Sequence, residues 1–470
     1  MPLVKLITPK RINVLGVFRF LFSLLLTAVF IPGISQDNSP YSRYGLGDIV
    51  PSTNVNSRGM GGISAGYVDL LSINYNNPAT YGSFLATKEA LSNKVANGRA
   101  ILDIGINIEN RTLREPNNVE KFTASNFLFS HIQVGIPLRK NWGLSFGLRP
   151  VNRISYKIFN QELLHDPNSG LPIDSSVTLY QGDGGAYLAS MGTGFKINLG
   201  QNNSVSLGVN GGYFFGKKDY SSRRSILNDS LLYNSGNLET KTTYGNLYGN
   251  AGLQFQHWFN KAIYISLGAY GNWKQTLNAT QDIFRETYTY DDNSGYVRQD
   301  SVYDQNDIKG KIIYPSSYTF GFVIEKTLYD AKETSWLFGV DFSQTKWNEY
   351  RFYGAADPTV KDNWQLRVGG QFRPVPKQNY FSNVAYRAGF SFGPDYINVS
   401  NKLPLMNISL GFGLPVISRT QLARTQATIL NIGLEYIKRG NNSNLLKENM
   451  FRLSVGFSLS DIWFVKRKYE

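Results

Sequence analysis

From Ala100 onward, apolar and polar residues alternate with a period of two, and the pattern returns down the whole chain. In Ile101 to Glu109, Leu102, Ile104, Ile106 and Ile108 share one face, while Asp103, Gly105, Asn107 and Glu109 share the other. The same pattern recurs at Trp142–Arg149, Val205–Asn210, Trp364–Phe372, Met406–Leu414 and Phe451–Leu459. One such strand fits a soluble sandwich. A long series whose second face is rich in Gly and Ser fits the crowded interior of a closed barrel. Marking each run gives about fourteen strands. They lie near 100–114, 124–138, 142–157, 174–198, 204–224, 237–259, 262–288, 308–327, 335–354, 363–376, 383–400, 406–417, 426–440 and 448–464. The expected fold is all-β: a transmembrane antiparallel barrel preceded by an N-terminal hatch or plug segment.

Composition agrees with a wall that is apolar on one face only. Tyr (29), Phe (29) and Gly (45) are abundant, yet the mean hydropathy is −0.26. A chain of 470 residues would ordinarily split into several soluble domains, but a barrel grows by adding strands to its wall. There is no cysteine, which excludes thiol catalysis, cysteine metal sites and disulfides. The net charge is +14, with no dense Lys/Arg run outside the termini. That distribution fits loops and girdles facing membrane lipids and lipopolysaccharide, not nucleic acid.

Lys5, Lys10, Arg11 and Arg19 precede the apolar stretch Phe20 to Ile31, and Pro32-Gly33 break it. This reads as a signal peptide over 1–35, cleaved before Gln36, since a spanning helix needs about 20 apolar residues. Export of a barrel implies the outer membrane. Residues 36–97 are rich in Gly, Ser and Asn, alternate weakly, and form the hatch or periplasmic lead-in. Residues 98–470 form the barrel. Short turns such as Arg139–Asn141 alternate with long connections such as Ile158–Ile173, Ser225–Gly236 and Thr289–Asp307. The short ones are assigned to the periplasm and the long ones to the exterior. This alternation blurs in the second half of the chain.

The segment Arg58 to Phe84 resembles the FadL/TodX family of hydrophobic-compound transporters, in a form similar to Bacteroidota outer-membrane proteins. The resemblance rests on Gly59-Met60-Gly61-Gly62 followed by Asn77-Pro78-Ala79, with the opening Ser39-Pro-Tyr-Ser-Arg-Tyr-Gly45 and the closing Trp463-Phe-Val-Lys-Arg-Lys-Tyr-Glu470 as the Bacteroidota features. It implies a fourteen-stranded barrel with a hatch holding Gly59, Gly61, Gly62, Asn77, Pro78 and Ala79. It also implies a kinked third strand that opens the wall sideways, for which Arg149 and Pro150 are the counterparts. The residues alone leave that open, because a proline fits equally well where a strand reaches its outer end.

Other motifs carry less. Gly62-Ile-Ser64-Ala-Gly66 matches the serine-hydrolase elbow, but no α/β context surrounds it and no histidine is near in sequence. His131, His165 and His257 lack metal-ligand spacing, and Asp291, Asp292, Asp300, Asp304 and Asp307 fit no EF-hand. No catalytic residue, metal or cofactor is expected. The leading expectation is passive uptake of hydrophobic, fatty-acid-like small molecules. The alternative is a non-transport barrel subunit of an outer-membrane secretion or assembly complex, bound to another outer-membrane protein.

Overall fold

The computed structural model describes residues 39–463, apart from 89–94, 117, 166–167, 171, 228–233, 292–294, 328–332, 400 and 417–425. The signal peptide expected over 1–35 and the tail after Trp463 lie outside the described residues. The wall is a closed antiparallel barrel of 14 strands. In chain order these are β1 (Val95–Arg114), β2 (Phe122–Arg139), β3 (Trp142–His165), β4 (Pro172–Leu199), β5 (Asn203–Leu227) and β6 (Ser235–Trp258). Next come β7 in two pieces (Ile263–Asn272 and Gln275–Asp291) and β8 in two pieces (Gly295–Tyr314 and Ser317–Lys326). The series ends with β9 (Ser335–Thr345), β10 (Asn363–Arg373), β11 (Ala385–Pro394), β12 (Pro404–Val416), β13 (Ala427–Arg439) and β14 (Lys447–Trp463). The ladder from Lys447↔Arg114 to Trp463↔Gly98 joins β14 to β1 and closes the ring.

The period-two reading fixes the faces correctly over the bilayer-crossing part. Asp103, Asn107 and Glu109 are buried inward, whereas Ile104, Phe146, Leu207, Phe320, Leu410 and Phe457 lie on the outer surface. Among the described residues no helix is long and apolar enough to cross a membrane.

Strand length departs from the sequence reading. β3, β4, β5 and β6 run for 24, 28, 25 and 24 residues, against 10 for β11. A bilayer needs about 9–11 residues per strand. The surplus stands beyond the membrane as a paired ribbon at one end, called here the outer end. The long connections expected at 158–173, 225–236 and 289–307 are therefore mostly ladder, with Leu163↔Ser175, Arg224↔Gly236 and Thr289↔Val297 still paired. Pairing there continues with both faces wet, so alternation no longer marks it. The strand expected over 335–354 stops at Thr345, and Trp347–Glu349 turn inward as a 3-10 turn. There Trp347 stacks on Tyr396 with ring centroids 4.0 Å apart.

Candidate functional site

The lumen is occupied by the chain's own N-terminal segment. Residues 54–84 pass across the inner face of one strand after another, and the contacts are made backbone to backbone. A Cβ on Gly389 would lie 2.0 Å from Gly61 N; on Gly369, 2.0 Å from Met60 O; on Gly268, 1.8 Å from Ala65 O; on Gly208, 2.2 Å from the Pro78 carbonyl carbon. The Gly-rich inner face seen in the sequence is this track. It leaves room for a second backbone against the wall.

Side chains then pin the segment. Asn54 caps the short helix Val55–Arg58 by accepting from Ser57 N. Arg58, 1% exposed, donates to Thr53 O (3.0 Å), Asn107 Oδ1 (2.5 Å) and Ser130 Oγ (2.6 Å). Gly61 and Gly62 take φ of +68° and +88°, and Gly61 N donates to Ser409 Oγ at 2.9 Å. Gly59 meets the wall at Gly411, where an added Cβ would be 2.9 Å from its Cα. Asn77 caps the turn Pro78–Ser83 through Ala79 N at 3.2 Å and donates to Ala65 O at 2.8 Å. Ala79 is fully buried. The structure thus places all six predicted hatch residues on the lumen track.

Two pins went unread in the sequence. Asp341 on β9 accepts from Ser64 N (2.6 Å) and Ala65 N (2.9 Å), so the serine of the hydrolase-like motif is held by a carboxylate of the wall. Its hydroxyl bonds Tyr270 at 2.8 Å. Asp103 accepts from Ile73 N at 3.1 Å and lies 3.4 Å from His131 Nε2, which places His131 in the lumen. Asp103 is thus a buried acceptor and not a free lumen-side charge. Ile104→Arg should cost about 2–4 kcal/mol by placing a cation in lipid. Asp103→Arg should impair assembly at least as much, by burying an arginine where Ile73 and His131 need an acceptor. Folded yield on heat-modifiable gels checks both.

Above this track, toward the outer end, residues 39–50 form an arm. Asp48 is bridged by Arg111 (2.9 Å) and Arg439 (2.8 Å). Arg439 also meets Asp395 at 2.8 Å and Glu448 at 3.3 Å, and Arg452 joins Glu109 at 2.7 Å and Glu435 at 3.3 Å. Tyr41 and Leu46 pack with Trp347, Tyr350, Tyr396 and Phe214 in an aromatic core. Between arm, track and wall lies a cavity of about 360 Å³. Its lining includes Arg58, Arg149, Arg367, Arg452, Glu435 and Asn407. Among the described residues no group of three or more His, Asp or Glu side chains is arranged to hold a metal ion.

The second predicted feature lies in the wall. β2 pairs with β3 only from Arg139↔Trp142 up to Ile132↔Leu148, while β3 stays paired with β4 as far as His165↔Pro172. Arg149 and Pro150 follow the last β2 pair. Arg149 turns into the lumen over the Tyr75 ring (5.7 Å), and Pro150 faces Tyr187 across the β4 ladder. A register shift between Pro150 and Asn152 bends the strand, and a second, opposite Gly105 and Ile106 of β1, leaves Ser130 and His131 both facing inward on β2. Where β2 departs, the arm adds to the β3 edge, with Asp48↔Arg153 and Ile49↔Asn152 paired antiparallel.

The family model of BamG matches residues 17–470. Among curated proteins nothing matches. Among solved structures the chain is similar to the CymD monoaromatic hydrocarbon channel (13% identity, TM-score 0.47, 88% of this chain and 98% of that one). It is similar also to a Pseudomonas aeruginosa FadL homologue (13%, 0.47, 89% and 100%) and to the Pseudomonas putida toluene transporter TodX (12%, 0.46, 88% and 99%). By the match of its residues 17–470 to that family model, the chain belongs to the BamG family.

Proposed function

We propose that this chain is a hatch-filled barrel of the outer membrane, in a Gram-negative bacterium of Bacteroidota type, that serves as a non-transport subunit of a larger outer-membrane assembly. The observation that carries this reading is the character of the lumen. The space left beside the hatch mixes buried arginines, carboxylates and amides with the rings of Tyr248, Tyr270, Tyr314, Trp347 and Trp364, so an apolar solute meets charged groups wherever it rests. An apolar solute resting there would strip water from those groups without replacing their hydrogen bonds, at a cost of about 1–3 kcal/mol for each polar group left unpaired. Buried ion pairs tie Asp48 of the arm to Arg111 on β1 and Arg439 on β13, so clearing the lumen means breaking them.

One observation favours a second reading, passive uptake of hydrophobic small molecules, fatty acids among them. The β2–β3 ladder ends at Leu148, beside Pro150 and the cavity residue Arg149, which offers a lateral way out of the wall. A single experiment separates the two. The full-length protein is purified in mild detergent and reconstituted in liposomes. The subunit reading expects a stoichiometric protein partner in the detergent extract and labelled fatty-acid entry no faster than in empty liposomes. Saturable entry above that control, slowed by Pro150→Val with the barrel still folded, overturns it in favour of uptake.

A further inference from the structure

We propose, resting on the subunit reading, that the upper edge of β3 at Lys157, Phe159, Gln161 and Leu163 receives an extended segment of a partner protein as an added strand. The direction of the edge groups is set by the arm. Val50 N donates to Val151 O at 3.0 Å, and Arg153 pairs with Asp48. Ser42 Oγ accepts from Ser155 N at 3.2 Å and donates to Ser155 O at 3.1 Å. Residues 151, 153 and 155 therefore turn main-chain groups away from β4, and every second residue above them does the same until the shift at Leu164–His165. Among the described residues nothing pairs with the main chain of Lys157, Phe159, Gln161 or Leu163 on that side.

These four residues stand above the membrane band. Tyr187, opposite Pro150, stacks with Phe215 at 6.1 Å as part of the outer aromatic girdle, and Lys157 lies seven positions further out along β3. A long flat edge in water is a template for strand pairing, and exported proteins usually blunt or cover such edges. This one carries two exposed apolar side chains on one face, Phe159 at 66% and Leu163 at 65%, with Gln161 between them. That is the layout that strand addition uses: main-chain bonds for affinity, alternate side chains for selection. The arm already docks on the same edge in this mode, directly below.

The occupant is a segment of a different protein, not a second copy. Two copies in one membrane share the same outward direction, so their β3 edges meet parallel, whereas the arm adds antiparallel. A segment from a partner is free to run either way. The fitting sequence is extended, with apolar residues at every second position to meet Phe159 and Leu163 and an acidic residue near Lys157.

The test uses the full chain in intact cells. Phe159 is replaced by the photocrosslinker p-benzoylphenylalanine, with Phe146, lipid-facing on the same strand, as control position. Light should yield one protein adduct from position 159 and none from 146. Gln161→Pro removes an N–H that points away from β4, so the β3–β4 ladder and the heat-modifiable barrel band should persist while the adduct falls at least tenfold. Gln161→Ala should leave it unchanged. Independently of any variant, amide exchange over 157–163 should slow at least tenfold in the complex relative to the purified chain. An adduct with a second copy or with lipopolysaccharide, an adduct indifferent to Gln161→Pro, or unaltered exchange would overturn the inference. A partner that co-purifies but crosslinks elsewhere removes the edge and leaves the subunit reading standing; no partner together with fatty-acid entry removes both.

Discussion

Gly208→Leu should displace the hatch, while Gly211→Leu, three residues along the same strand, should be silent. At Gly208 a Cβ alone would sit 2.2 Å from the Pro78 carbonyl carbon and 2.3 Å from its oxygen, both backbone atoms that no rotamer change can move. At Gly211 nothing lies within 4 Å, because that position faces outward. Overpacking of this kind costs about 1–3 kcal/mol or more. The wall's hydrogen bonds run strand to strand, so the hatch yields and the barrel remains. The expected readout is a folded, heat-modifiable barrel with at least a tenfold rise in passage of small polar solutes for Gly208→Leu, and wild-type passage for Gly211→Leu. Equal behaviour of the two variants would show that the hatch does not seal the lumen.

Asp48→Ala should release the arm. Arg111 and Arg439 would keep Glu448 but lose the one carboxylate that ties the arm to them, a loss below the about 3–5 kcal/mol of leaving a buried charge with no partner. Limited proteolysis of folded protein should then cut within residues 39–53, where the wild type resists. The same latch responds to acid. Burial pushes the Asp48 carboxyl up, but Arg111 and Arg439 together outweigh it and hold the group below its ordinary range. A carboxyl depressed in the folded state contributes its full stabilisation above the unfolded value of about 3.9 and loses it as pH falls through the folded value. Wild-type protection should therefore hold at pH 5 and fade only well below pH 4. Asp48→Ala should show no such transition.

The wall was legible because bilayer-crossing strands must keep one face apolar at every second residue, and Leu102 to Ile108 or Phe451 to Leu459 have no other use for that pattern. The two register shifts were not. At Ser130–His131 and Val151–Asn152 adjacent residues face inward, and an alternation count reads that only as noise. The outer ribbons were read as loops for a related reason: water on both faces removes the constraint that wrote the pattern. Among the site residues, Gly59 to Gly62 and Asn77 to Ala79 stood out because glycine and proline fix backbone geometry locally. Asp341, Asp103 and Arg58 did not. Their contacts between segment and wall span 277, 30 and 49 or more residues of sequence, and only closure of the barrel brings them together.

The track of the N-terminal segment across the wall also bears on the order of assembly. Ser39 bonds Glu448 across 409 residues, and Arg58 bonds both Asn107 on the first strand and Ser454 on the last. Contacts so distant in sequence make folding slow, because loop-closure entropy is lost before the contacts return any stabilisation. Arg58 thus reaches both sides of the seam between first and last strands, so seating of the segment and closure of the cylinder reinforce one another while the strand-to-strand ladder closes the ring by itself.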